Sequence, residues 1–215
     1  MIIKKYLHSC LLVEEKKTKL LIDPGAFSFV EKKLKPEDLG SVDAVLLTHK
    51  HMDHYFPEAL KIILKNKTRL LACEEIATLA KKDGFECEIM KASQILKVGD
   101  ISIKAFNAPH EPIPTEIPDN LAYLINDKLL HPGDSYHVHG LKSCEILALP
   151  VAGPWSRLVD GLTFASSLKP KIVIPIHDAI LKDFMLERIY TLTENYCKEK
   201  GIQFKLLSLG ASLSI

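Results

Sequence analysis

Little in the sequence ties it to a membrane, to nucleic acid or to an oxidising compartment. No apolar run comes near the roughly 20 residues needed to span a bilayer, and the opening Met1-Ile2-Ile3-Lys4-Lys5-Tyr6 lacks the long apolar core of a secretory signal. The chain is therefore expected in the cytoplasm, with no membrane partner. Excess charge is missing too: 28 basic residues stand against 27 acidic ones, so no overall field gathers nucleic acid or an anionic surface. Cysteine is sparse, with Cys10, Cys73, Cys87, Cys144 and Cys197 odd in number and never spaced as C-x-x-C. That argues against a disulfide framework and a zinc ribbon, and for reduced, mostly buried thiols. Linkers, repeats and low-complexity tracts are also absent.

What is present is apolar material in short, patterned runs. With 47% hydrophobic residues, 215 positions are enough for one large core, and residues 1–215 are expected to form a single domain. Residues 2–23 read as strands, with Cys10 to Val13 and Leu20 to Ile22 forming a hairpin across a polar turn. Val42 to Leu47 is a buried strand, and Pro57 opens a helix on whose face Leu60, Ile63 and Leu64 meet. Further strands are expected at 69–73, 95–98, 101–106, 122–125, 129–131, 146–150, 172–176 and 203–209, and helices at 74–82, 158–168 and 183–200. Strand meanders alternate with βα units, which points to a mixed α/β architecture.

The segment Thr48 to Phe56 falls on a strand-to-helix loop, and it carries His49, His51, Asp53 and His54. In extended backbone, positions 49 and 51 point to the same side, so both rings can reach one cation. The turn that follows can bring Asp53 and His54 to a neighbouring position. Zinc accepts nitrogen and oxygen donors of this kind. Three more donors stand at strand ends: His110 after 101–106, Asp134 after 129–131, and His177 after 172–176. Loops at the ends of rigid strands are where binding residues are commonly held.

In this order the motifs resemble the metallo-β-lactamase superfamily: Asp23-Pro24-Gly25 after an early strand, the H-x-H-x-D-H block at 49–54, Pro109-His110, Gly133-Asp134-Ser135 and Pro175-Ile176-His177. The resemblance implies a four-layer αββα sandwich, two sheets face to face with helices outside and the metals at one edge. It further implies that His49, His51 and His110 hold a first metal, that Asp53, His54 and His177 hold a second, and that Asp134 bridges them. Asp23 would orient a ligand and the 49–54 loop. Tyr6-Leu7-His8-Ser9-Cys10 is similar to the G-H-S/A opening of the small metal-dependent hydrolase branch, including the ascorbate-6-phosphate lactonase and N-acyl-phosphatidylethanolamine phospholipase D groups. Leu7 stands where that opening has glycine. The similarity implies that His8 lies near the metals as a further polar group; a histidine satisfied within its strand is the alternative.

Two divalent metal ions, zinc first, with manganese, iron or nickel also suiting the donors, lower the pKa of a shared water to about 7. The expected activity is hydrolysis of a small ester, lactone or phosphodiester by a metal-bridged hydroxide, with Asp53 helping to orient it. Water or a nearby acid protonates the leaving group, with His8, His137, His139 and Glu111 as candidates. The expected partner is a small-molecule substrate, and a homo-oligomer is compatible with the sequence. A nuclease would bring a substrate arm and a basic surface, which this chain lacks. Two alternatives stay open: a metal-dependent nuclease or phosphodiesterase acting on nucleic acid, and a catalytically silent metal-binding protein of the same fold. Residues 25–30, 111–118 and 136–156 are expected to shape the substrate mouth.

Overall fold

A computed structural model describes residues 1–65 and 67–215, and among them the strands form two seven-stranded sheets. The first begins as an antiparallel meander of β1 (Ile2–Lys5), β2 (Leu11–Glu15) and β3 (Thr18–Ile22). It continues in parallel through β4 (Ala44–Leu46), β5 (Arg69–Ala72) and β6 (Glu88–Ile89). Helices α1 (Pro57–Ile63) and α2 (Glu74–Lys82) make the crossovers. Pro57 sits in the first turn of α1, where its missing N–H costs nothing. In α2, Glu74 and Glu75 open the helix and Lys81 and Lys82 close it, in line with its dipole.

The second sheet follows the same plan. Strands β7 (Ile95–Val98), β8 (Ile101–Asn107), β9 (Leu121–Ile125) and β10 (Leu129–His131) are antiparallel. Strands β11 (Ile146–Pro150), β12 (Ile172–Ile176) and β13 (Gln203–Phe204) add in parallel, connected by α3 (Leu158–Leu168) and α4 (Asp183–Glu199). Finally β14 (Ser212–Ser214) returns to the first sheet, antiparallel to β1.

The two-residue side-chain period builds the layers. Ile146, Ala148, Ile174 and Ile176 join a core shared with Leu12, Leu21 and Val45 of the other sheet. Their neighbours Leu147, Leu149 and Val173 face the other way, onto Leu162, Ala165 and Leu168 of α3. The result is an αββα sandwich.

One local expectation needs correction, and one strand was not expected. The single strand expected over 203–209 is reduced to Gln203–Phe204: Lys205 N still donates to Val173 O at 2.8 Å, but the chain then leaves this sheet, and by Gly210 its backbone donates to Lys5 O at 2.8 Å, ahead of β14 on the other sheet. The apolar pattern of 203–209 is real, yet it spans the passage from one sheet to the other. Strand β6, exposed and two residues long, carries no periodic signal.

Strand direction decides where chemistry collects. β1 and β3 both run antiparallel to β2, and β4 is parallel to β3. β8 and β10 both run antiparallel to β9, and β12 follows β10 through β11. The C-terminal ends of β1, β3 and β4 therefore share one edge of their sheet, and those of β8, β10 and β12 share one edge of theirs. In α/β sheets this is the end where ligands bind.

Candidate metal centre

Asp23 organises the first-sheet side. Its Oδ1 accepts Thr48 N at 2.8 Å, and its Oδ2 accepts Thr48 Oγ1 at 2.7 Å and lies 2.7 Å from His54 Nδ1. With Nδ1 turned to that carboxylate, His54 presents Nε2 to the centre. Thr48 Oγ1 also lies 3.1 Å from His49 Nδ1, which turns His49 Nε2 the same way. Gly25 has no alternative here, because any side chain would collide with the backbone of Asp53 and His54. That close approach is sealed by Ala26 N donating to Met52 O at 2.7 Å.

The second sheet contributes through three loops. His110 Nδ1 lies 2.6 Å from Glu111 O, leaving its Nε2 for the centre. Asn120 donates to Ala108 O at 2.7 Å and Pro132 O at 3.0 Å, which clamps the loop carrying His110 to the one carrying Asp134. His177 N donates to His8 O at 3.2 Å, tying the end of β12 to the β1–β2 turn. His8, Asp23 and His177 all have positive φ, of 59°, 47° and 59°. Left-handed backbone at a non-glycine residue costs of order 1–3 kcal/mol, and it persists at functional sites where the surroundings enforce it.

Two sets of donors result, His49, His51, His110 and Asp134 in one, His8, Asp53, His54 and His177 in the other. Within each, one ligand atom per residue lies within 4.8 Å of all the rest. Asp134 stands between them. Its Oδ2 is 3.6 Å from His49 Nε2 and 3.5 Å from His110 Nε2, while Oδ1 is 3.2 Å from His54 Nε2 and Oδ2 is 3.1 Å from His177 Nε2. Asp53 Oδ2 lies 3.0 Å from His8 Nε2 and 3.2 Å from His177 Nε2.

Several of these approaches are short without being hydrogen bonds. His54 Nε2, His110 Nε2, His177 Nε2 and Asp134 Oδ1 are buried and have no hydrogen-bond partner. They aim at common points rather than at one another. Each unsatisfied buried polar atom costs about 1–3 kcal/mol, so four together rival the roughly 5–15 kcal/mol stability of a whole domain. A cation accepting these lone pairs removes that cost, and the nitrogen and carboxylate donor set is one that divalent metals take. The residues fit the group.

Charge sharpens the fit. Burial holds the pKa of His49 well below its ordinary value, with His54 adding to the effect. Burial, then the neighbouring His177, lowers His8 to about 4. At His54 burial also opposes charge, but Asp134, Asp23 and Asp53 outweigh it and hold the pKa well above the usual range. His177 rises against the same burial to about 9, through Asp134 and Asp53. Burial works against ionised Asp134, and His177, His54 and His49 override it, keeping its carboxyl well below the usual range. A divalent cation in place of those two protons answers the same carboxylates.

Known proteins share both sequence and architecture. The family described as the beta-lactamase superfamily domain matches residues 2–177. The chain belongs to that superfamily. Its relatives include Protein Rv0786c of Mycobacterium tuberculosis, 32% identical over 181 residues, covering 81% of this chain and 82% of that one. The UPF0173 metal-dependent hydrolase NEQ378 of Nanoarchaeum equitans is 28% identical over 189 residues, covering 80% and 82%. Among solved structures, Igni18, a metallo hydrolase from Ignicoccus hospitalis, aligns with a TM-score of 0.77 at 20% identity over 100% of both chains.

The seven expected donors come together, and His8, expected only as a further polar group near them, joins the set of Asp53, His54 and His177. His8 is fully buried behind Asp53 and packs on His177, with ring centroids 4.0 Å apart. His137 and His139 stay outside. The His137 side chain is 71% exposed, with Nδ1 3.0 Å from Glu111 Oε1, and His139 is exposed. Glu111 Oε1 also accepts Tyr136 N at 2.8 Å. Two contributors escaped sequence reasoning. Trp155 donates from Nε1 to Asp134 Oδ2 at 3.0 Å, and Asn120 clamps two loops from buried positions. Nothing periodic marks either; the single tryptophan of the chain, set after Gly153-Pro154, is the only available hint.

Proposed function

We propose that this chain is a hydrolase with two divalent metal ions, zinc first, acting on a small ester, lactone or phosphodiester. The observation that carries it is Asp134, whose two oxygens reach both donor sets while buried ligand atoms around it lack partners. His49, His51 and His110 would hold one ion, Asp53, His54 and His177 the other, and Asp134 both. Bound there, the ions would polarise a carbonyl or phosphoryl oxygen and lower the pKa of a shared water to about 7.

The chain's own residues supply the rest. Asp23 and Thr48 fix which nitrogen His54 and His49 present, and Glu111 O does the same for His110. Asp53, on the cavity lining beside His177, is the group placed to orient the attacking water. His8 acts on Asp53 rather than on the leaving group, since it has no exposure to solvent. Trp155 steers Asp134 and shields it on one side. No helix among the described residues is long and apolar enough to cross a membrane. Five free cysteines, four of them buried, support a reducing compartment, the cytoplasm.

The test is turnover of p-nitrophenyl esters, lactones and bis-p-nitrophenyl phosphate by protein loaded with zinc or manganese. The expected result is metal-dependent hydrolysis lost in His51→Ala. No metal-dependent turnover on any of them would favour a silent metal binder. Cleavage of RNA or DNA with none of the small esters would favour a nuclease.

A further inference from the structure

A cavity of about 340 Å³ opens on the metal centre. His51, Asp53, Asp134 and His177 line it from below, and Phe27, Ile113, Pro114, Pro154, Trp155 and Ile180 supply the rest of the lining, with Thr115 the one other polar residue. These walls come from three separate segments, around 27, 113–115 and 154–155, joined by Ile180 in the turn after His177. Among the described residues, no lysine or arginine lines the cavity. The cation beside His51 is already committed, since Lys50 donates to Glu75 at 2.8 Å and to Glu116 at 3.1 Å. The single indole N–H is committed as well, to Asp134.

Burying a charged group without paired donors is strongly unfavourable, and anion recognition ordinarily relies on arginine, lysine or convergent N–H groups. This lining offers an anionic substrate body nothing beyond the metal centre itself. To an apolar body it offers an aromatic ring, an indole and two isoleucines, within a volume at the lower end of the roughly 300–1,000 Å³ typical of ligand sites. Ile180 is 42% exposed, so part of that apolar surface meets water until something covers it.

We propose that the substrate is a neutral ester or lactone with a small apolar acyl or alkyl body, packed between Phe27, Ile113, Trp155 and Ile180. This rests on the hydrolase reading and narrows it, setting phosphodiesters aside. The step is balanced as ester hydrolysis: the acyl carbon–oxygen bond breaks, a water oxygen bonds to the acyl carbon, one proton passes to the leaving alcohol oxygen, and the acid product releases its own.

The experiment compares p-nitrophenyl acetate, butyrate and hexanoate with mono-p-nitrophenyl glutarate and bis-p-nitrophenyl phosphate on the metal-loaded protein. Each buried methylene is worth about fourfold, so kcat/KM is expected to rise at least tenfold from acetate to hexanoate. The glutarate ester, similar in length but ending in a carboxylate, is expected at least tenfold below hexanoate, and the phosphate diester lower still. Ile180→Asp, at a half-exposed loop position, is expected to cut the hexanoate-to-acetate ratio at least fivefold. Binding is read separately through the fluorescence of Trp155, the sole tryptophan: hexanamide is expected to give a saturable change at a concentration at least tenfold below that needed for acetamide. A flat chain-length profile, or glutarate or phosphate diester favoured over hexanoate, overturns the substrate assignment while leaving the hydrolase reading intact. Absence of turnover with a saturable hexanamide response overturns the hydrolase reading and leaves the apolar pocket standing. Absence of both overturns the pocket as well.

Discussion

Two buried polar clusters meet where β12 ends, and they are built in opposite ways. His177 belongs to one and its neighbour Asp178 to the other. In the second cluster Lys5 Nζ donates to Asp178 Oδ2 at 2.8 Å and to Tyr6 O at 3.2 Å, and Tyr190 OH donates to the same carboxylate oxygen at 2.7 Å. None of these atoms is left without a partner. One residue away, His177 has both ring nitrogens buried and unpartnered, and the same holds for His54 Nε2, His110 Nε2 and Asp134 Oδ1. A polar cluster whose task is to hold the chain closes its own hydrogen bonds; one whose atoms converge without bonding is shaped around something else. The contrast locates function more sharply than burial or charge does, since both clusters are buried and both are charged.

Substitutions can break the contrast from either side. The largest effect is expected at the bridge: Asp134→Asn should lower kcat at least a thousandfold, about 4 kcal/mol in barrier terms, and reduce the bound metal. In metal-free protein at neutral pH the same change should lower the melting temperature, because it removes the carboxylate that keeps His54 and His177 charged in a buried site. Next comes Lys5→Met in the satisfied cluster, which strands Asp178 as a buried charge and should cost about 3–5 kcal/mol in urea unfolding. That loss should be the same with and without metal. Asp23→Asn should weaken metal affinity about 10–100-fold, as read by competition with a chromophoric chelator, because His54 loses its orienting carboxylate. An effect of similar size should come from Trp155→Phe, which keeps the wall but removes one hydrogen bond to a charged acceptor, about 1.5–3 kcal/mol at most. It should show in metal affinity before it shows in stability.

The sequence carries the satisfied and the unsatisfied cluster to different degrees. His49, His51, Asp53 and His54 are legible because they crowd the exit of a short apolar strand, and His110, Asp134 and His177 because each follows a strand in the same grammar. Helices α2 and α3 and strands β11 and β12 have the bounds that their periodicity predicts. Lys5, Asp178 and Tyr190 carry no such mark: they lie on three distant elements, and only the folded chain joins them. Trp155 and Asn120 are hidden for the same reason. The strand expected over 203–209 stops at Phe204 because an apolar run favours a strand without supplying the neighbouring edge that the strand needs; Lys205 is the last residue bonded to β12. Proline and glycine spacing place the turns; the contact of Gly25 with the Asp53–His54 backbone emerges only in three dimensions.

The central claim is that the unpartnered atoms around Asp134 are ligands of two cations. Elemental analysis of protein purified with ample metal, dialysed and measured by inductively coupled plasma spectrometry, tests it directly. The account predicts two divalent ions per chain, falling in Asp134→Asn. Fewer than one ion of zinc, manganese, iron or nickel per chain would contradict it.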